Sequence, residues 1–292
     1  MLTDKNIIVI GDVHGRTSWR KIVDRHTGCR FVFLGDYCDP YEEIPGEAVL
    51  DNLREIIQFK QAHADDVVLL LGNHDVHYLE NRAPIGSRFD LELAWQIEEI
   101  LTTNKDLFQC AYSQWGILFT HAGVSDAWFR QSFVGDADGD IASQLNARAA
   151  DAALCHCGAS RRGPHLHGGI YWAGKSEMQC PLRGTTQVVG HTRTDGVERI
   201  ESGEGVVYFC DCLEKGKYLM IVGTSAMVQT ELDSIVNQYT DKFNNPMVMW
   251  GKYRKGWFKT TLPISFQFHH SQMDGGHGAM FLELLQREIK GL

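Results

Sequence analysis

Three apolar runs, each ending in glycine and a polar side chain of the kind that binds metals, constrain this chain more than any other feature. Ile7-Ile8-Val9-Ile10 leads into Gly11-Asp12-Val13-His14-Gly15, Phe31-Val32-Phe33-Leu34 into Gly35-Asp36-Tyr37-Cys38-Asp39, and Val67-Val68-Leu69-Leu70-Leu71 into Gly72-Asn73-His74-Asp75. Open α/β sheets bind ligands outside the carboxyl ends of their strands, so three such tips predict one shared crevice. Two later stretches repeat the layout: Ile117-Leu118-Phe119-Thr120 presents His121-Ala122-Gly123, and Gln187-Val188-Val189 presents Gly190-His191-Thr192.

Helical spacing separates the first three runs. Arg16 to His26 places Trp19, Ile22 and Val23 on one face, and Glu47 to His63 carries a broad face of Val49, Leu50, Leu53, Ile56, Ile57 and Phe59. This β-α-β-α-β alternation predicts a mainly parallel sheet with right-handed crossovers. Further on, the pattern predicts helices over Asp90–Leu101, Asp126–Gln131 and Ile141–Leu154, two strands pairing around Trp115-Gly116, and a long irregular loop from Cys155 to Gly184. It then predicts a terminal strand meander through Val197–Ile200, Val206–Cys210 and Tyr218–Val222. We read residues 1–225 as one domain and 226–292 as an appendage packed on it, with a helix near Leu232–Tyr239, an aromatic and basic patch over Trp250–Lys259 and a last helix near Met280–Ile289.

The side chains at the tips are Asp12, His14, Asp36, Asn73, His121 and His191. Carboxylate, imidazole and amide groups without a thiolate suit Mn, Fe, Zn or Co. Six such groups exceed the needs of one ion with open positions. Two divalent ions about 3.5–4 Å apart, bridged by a shared carboxylate and a hydroxide, would use all six and clamp a phosphoester for in-line attack; Asp36 is the natural bridge. His74 sits where it can deliver a proton to the leaving oxygen, with Asp39 to orient it. The net charge of −9 argues against a general nucleic-acid binder, while an ion pair lets an acidic protein hold phosphate locally.

The N-terminus lacks the basic and apolar regions of a secretory signal, and no apolar run approaches the roughly 20 residues of a membrane span. A soluble, cytoplasmic protein is expected, and the eight cysteines are expected to be free thiols. Cys155-His156-Cys157 and His165-Leu166-His167 carry zinc-type residues, but at no zinc-motif spacing.

In these five elements, taken in order over residues 5–225, the chain resembles the calcineurin-like metallophosphoesterases, and within them the serine/threonine phosphoprotein phosphatase branch. The resemblance implies an α/β (α+β) four-layer α-β-β-α sandwich. It also implies a first ion on Asp12, His14 and Asp36, a second on Asp36, Asn73, His121 and His191, and His74 as general acid with Asp39 as its partner. The expected activity is hydrolysis of phosphomonoesters, on a phosphoprotein or a small phosphoester, by a metal-bridging hydroxide. Alternatives are a dinucleoside polyphosphate, nucleotide or nucleic-acid phosphohydrolase, and a non-catalytic scaffold; the scaffold predicts eroded ligands, and none of the six is missing. One departure stands out. In the phosphoprotein phosphatases and the symmetrical diadenosine tetraphosphatases, Gly-Asp-x-x-Asp is followed by Arg-Gly, whose arginine grips the phosphate, whereas Pro40-Tyr41 stands here. Arg16, Arg82, Arg88, Lys175, Arg183 and Arg193 are candidate replacements, and Arg193, Arg183 and Lys175 are taken as the substrate-binding set.

Overall fold

In the computed structural model, the strand Ile7–Ile10 (β1) has no exposed side chain, because a sheet neighbour flanks it on each side and protein covers both faces. The structure describes residues 5–79, 86–203 and 205–222 and, further on, the backbone of Ile235–Val236, Met247–Trp250, Arg254–Lys255, Thr260–Thr261 and Ile264–Gln267. β1 runs parallel to Arg30–Phe33 (β2), which runs parallel to Val67–Leu70 (β3) and on to Phe108–Gln109 (β4). The register Ile10↔Phe33 and Phe33↔Leu69 brings the tips of β1, β2 and β3 to one edge. Two helices, Trp19–Arg25 (α1) and Gly46–Ala62 (α2), provide the crossovers, and a single turn, Asn73–Val76 (α3), follows β3. α2 buries the expected Val49, Leu50, Leu53, Ile56 and Ile57, and Trp19 Nε1 donates to Asn52 Oδ1 at 2.9 Å, locking α1 to α2.

The second sheet is built from Ala111–Gln114 (β5), Ile117–Thr120 (β6), Thr186–Arg193 (β7), Glu198–Glu201 (β8) and Val206–Asp211 (β9), in the order β5-β6-β7-β9-β8. The β5–β6 hairpin turns at Trp115 (φ 55°) and Gly116 (φ 73°), the two left-handed residues that a tight hairpin turn requires. The two sheets meet where β1 faces β9 and β3 faces β5. Helices cover the outer faces, α2 on the first sheet and Ile141–Ala147 (α6 in chain order) on the second, giving a four-layer α-β-β-α arrangement.

Several boundaries differ from the sequence reading. The helix expected from Asp90 starts at Ala94 (α4, Ala94–Thr103), because the Asp90 carboxylate accepts the amides of Glu92 and Leu93 and closes a turn first. The stretch Asp126–Gln131 is one short helical turn, Asp126–Trp128 (α5), followed by a wider turn over Phe129–Phe133. α6 stops at Ala147, not Leu154. The terminal meander is divided between the sheets: β8 and β9 pair in the second, while Leu219–Ile221 (β10) crosses to the first and runs antiparallel to β1. Leu219 and Ile221 are buried there, and this burial draws the strand away from β9. Within the stretch read as a helix near Leu232–Tyr239, Ile235–Val236 is extended. The last helix, near Met280–Ile289, and the side chains of the Trp250–Lys259 patch lie outside the described residues, as does Arg82.

The chain forms two compact units, residues 1–230 with 236–238, and 231–235 with 239–292. The second contains two antiparallel pairs, Met247–Trp250 with Ile264–Gln267 and Arg254–Lys255 with Thr260–Thr261. All eight cysteines are thiols outside any disulfide, and no described helix is long and apolar enough to cross a membrane.

Candidate active site

The crevice exists because five strand tips approach one another more closely than ordinary side chains allow. A methyl group on Gly72 would lie 2.1 Å from Asp36 Oδ1, and one on Gly190 would lie 2.2 Å from Asp12 Oδ1. Four polar residues at the tips, His14, Asp36, Asp39 and His191, adopt left-handed backbone with φ between 46° and 60°, a strained conformation that clusters at functional sites. At His191 the pairing of β7 with β9 slips between Val189 and Arg193, a bulge that re-aims a side chain out of the ladder.

The tips converge into two donor groups that share Asp36. Asp12, His14 and Asp36 form one, and Asp36, His121 and His191 the other, each with its donor atoms within 4.8 Å of one another. Asn73 Oδ1 joins the second, 2.9 Å from His121 Nε2 and 2.7 Å from His191 Nδ1. Asp36 Oδ2 lies 3.5 Å from His121 Nε2 and 3.7 Å from His14 Nε2. Backbone carbonyls fix the imidazoles: His14 Nδ1 donates to Cys38 O at 2.9 Å and His121 Nδ1 to Leu34 O at 2.8 Å. Each Nε2 therefore turns a lone pair into the site, the tautomer that suits a metal ligand.

Electrostatics keeps these imidazoles neutral. Burial pushes His14 down to about 4 and lowers His121 and, most strongly, His191. For Asp36 burial opposes ionisation, yet His121, His74, His14 and His191 around it hold its carboxyl well below the usual range. Burial and the neighbouring Asp211 and Asp36 charges push Asp12 up. The Nε2 lone pair of neutral His121 thus faces the Asn73 carbonyl oxygen across 2.9 Å with no proton to share. Two acceptors that close repel unless a cation lies between them, and the donors' mutual spacing suits a shell at about 2.0–2.2 Å from an ion. The residues fit a pair of divalent ions.

Beside the donors lies a proton-handling cluster. Asp39 Oδ2 accepts from His74 Nδ1 at 2.8 Å and lies 2.8 Å from His77 Nε2, and Asp39 Oδ1 accepts from the Tyr78 hydroxyl. Gly86 N donates to His77 Nδ1 at 3.2 Å, leaving the ring proton on Nε2. Asp90 N donates to the Tyr78 oxygen at 2.8 Å, leaving the hydroxyl proton for Asp39. Burial disfavours the Asp39 charge, but the three donors outweigh it and lower its pKa. Burial likewise opposes protonation of His74, but the Asp36 and Asp39 charges prevail and raise it. His74 therefore holds a proton more readily than a free imidazole, with Nε2 free to give it up.

Sequence reasoning read His77 most simply as a surface or capping residue, with lining of the site as the lesser alternative because it closely follows the third ligand run, and gave no weight to Tyr78 or to two other participants. Asp75 is fully buried and accepts the amides of Gly72 (2.7 Å), Asp36 (2.8 Å) and Tyr37 (2.9 Å), tying the β2 and β3 tips together; burial and the Asp36 charge push it up to about 8. Arg161, in the long loop, donates to Thr192 Oγ1 at 2.7 Å and lies within the electrostatic reach of Asp12 and Tyr41. Of the basic residues singled out, Arg193 and Arg88 reach the site's mouth, over the Tyr41 ring. Lys175 pairs instead with Glu198 of β8, Arg183 is exposed on the turn before β7, and Arg16 is held by Glu42 at 2.9 and 3.2 Å. The imidazoles of His156 and His165 stack at 3.8 Å, but no three-donor group forms in that loop.

The calcineurin-like phosphoesterase family profile matches residues 5–193. The chain belongs to that family. The phosphoesterase is similar in fold to a protein serine/threonine phosphatase from Saccharomyces cerevisiae with similarity to human phosphatase PP5, at 16% identity and a TM-score of 0.53 over 83% of this chain and 82% of that one. A cold-active protein-tyrosine phosphatase of a psychrophilic Shewanella species matches at 16% identity and a TM-score of 0.49, over 75% of this chain and 76% of that one. No curated protein matches the phosphoesterase in sequence. The family makes the chain a metal-dependent phosphoester hydrolase acting on phosphorylated substrates.

Proposed function

We propose that this phosphoesterase hydrolyses phosphomonoesters, with serine/threonine phosphoproteins as the leading substrate class. The observation that carries the reading is the pairing of His74 with Asp39 at 2.8 Å beside two donor groups that share Asp36. Asp12, His14 and Asp36 would hold the first ion, and Asp36, Asn73, His121 and His191 the second. Mn, Fe and Zn all suit this donor set. When bound, the two ions supply Lewis-acid charge at the phosphoryl oxygens and make a water acidic enough to attack. His74, held by Asp39, gives its Nε2 proton to the departing alcohol oxygen. Arg161 takes the phosphoryl oxygens, the role left open by Pro40, whose ring offers no donor. A guanidinium in addition to two divalent ions favours a dianionic monoester over a monoanionic diester. We assign the chemistry to residues 1–225, treat 226–292 as an appendage and place the protein in the cytoplasm.

Elemental analysis of the purified protein, followed by turnover of phosphoserine and phosphotyrosine peptides, an aryl phosphomonoester, its diester and diadenosine tetraphosphate, tests the reading. The expected result is bound divalent metal and preference for a monoester. Preference for the diester or the dinucleotide overturns it, and full activity in both Asp36→Asn and His74→Asn overturns the mechanism.

A further inference from the structure

Tyr41 occupies the position after Pro40 and lies edge-on to His14, with ring centroids 4.8 Å apart, so its ring borders the donor groups. Two guanidiniums lie over that one ring: Arg193 with its central carbon 3.9 Å from the centroid and Arg88 at 4.2 Å. Such contacts are favourable individually, but together they hold two like charges close to each other.

Neither charge is well neutralised. Arg88 Nη1 donates to the Pro40 carbonyl at 3.1 Å, and among the described residues Arg88 has no carboxylate partner. Arg193 Nε stands 3.5 Å from Glu214, which Lys215 also engages at 3.1 Å. The contrast with Arg16, held by both oxygens of Glu42, is plain. Arg88 is also held at φ 64°, in the left-handed region that disfavours a branched-off side chain. Strained backbone and paired like charges on an exposed rim do nothing for the core; an oxyanion bound between the two forks offsets both.

The scissile phosphoryl is not that oxyanion, because half-buried Arg161, whose charge bears on Asp12, His121 and His191, takes it, whereas Arg88 and Arg193 are exposed. We infer that Arg88, Tyr41 and Arg193 form an oxyanion subsite at the mouth of the active site that receives a second anionic group of the substrate, a phosphoryl or a carboxylate. Tyr41 keeps the two forks in place before the anion arrives, and each guanidinium presents the paired N–H donors that match such oxygens. The inference rests on the monoesterase reading.

Two substrate pairs distinguish the sources: a phosphoserine peptide with flanking glutamates against its glutamine counterpart, and a sugar bisphosphate against the corresponding monophosphate. The metal-loaded wild type is expected to prefer the doubly anionic member of one pair by about tenfold in kcat/KM, and that pair names the anion. In Arg88→Gln and Tyr41→Leu the preference falls toward one, chiefly through KM. A wild-type ratio near one in both pairs, or a ratio unchanged in Arg88→Gln, overturns the subsite. Turnover of phenyl phosphate separates the two claims: turnover with a ratio near one removes the subsite alone, and no turnover of any monoester removes both.

Discussion

Asp39 accepts from His74 and Tyr78, has His77 Nε2 2.8 Å away and stays ionised, so its service to His74 is to hold the ring and its proton, not to take the proton away. That division predicts a dependence on the leaving group. A nitrophenolate departs without help, whereas an alkoxide needs the proton, and general-acid assistance contributes about 10²–10⁴-fold. Tyr78→Phe and His77→Gln loosen the carboxylate that aims His74, so turnover of an alkyl phosphate is expected to fall about tenfold further than turnover of p-nitrophenyl phosphate. Equal losses on both substrates would mean that the two residues only support the fold. At this scale the sequence was legible wherever a metal-type side chain stood with glycine at the end of an apolar run: Asp12, His14, Asp36, Asn73, His121 and His191 all converge. Tyr78 and Arg161 were not legible, because no local pattern marks them, and His77 was marked only by its closeness to the β3 tip. Their contacts join residues 38, 39 and 31 positions apart through the path of loops.

Among the elements, the strand tips are cut to fit one another. Gly190 packs against the Asp12 carboxylate, whose two oxygens each accept the His191 amide at 3.0 Å. Gly190→Ala is expected to push β7 away from β1, abolishing metal retention while the far-ultraviolet circular dichroism persists; bound metal at wild-type stoichiometry would refute the close fit. Periodicity located these strands well, since β1 and β3 are unbroken apolar segments and β2 and β6 each carry three apolar residues in a row. It overran the helices, because the Asp90 side chain competes for amides that periodicity assigns to α4.

For the whole molecule, the ions are expected to act as cross-links between the two sheets, since Asp12, His14, Asp36 and Asn73 come from one and His121 and His191 from the other. Ions at a hundredfold excess over their Kd contribute about 2.7 kcal/mol, which is about 5–10 °C in Tm for a domain of this size. Chelation should lower the melting temperature by that amount and divalent metal should restore it; a melting curve indifferent to both would contradict the assignment. The parallel sheet and its crossovers were legible from the β-α-β-α-β alternation. The partition of the last strands was not, because adjacency in sequence favours a meander, and only the burial of Leu219 and Ile221 beside β1 reverses it. That crossing has a consequence in time. The second neighbour of β1 in the sheet, β10, leaves the ribosome more than two hundred residues after β1 itself. Every proposed ligand has been synthesised by His191, yet until residue 221 emerges β1 is an open edge. A nascent chain paused between these points carries the whole chemistry of the site on an unfinished sheet, so loading of metal is timed by the arrival of a strand that bears none of the ligands.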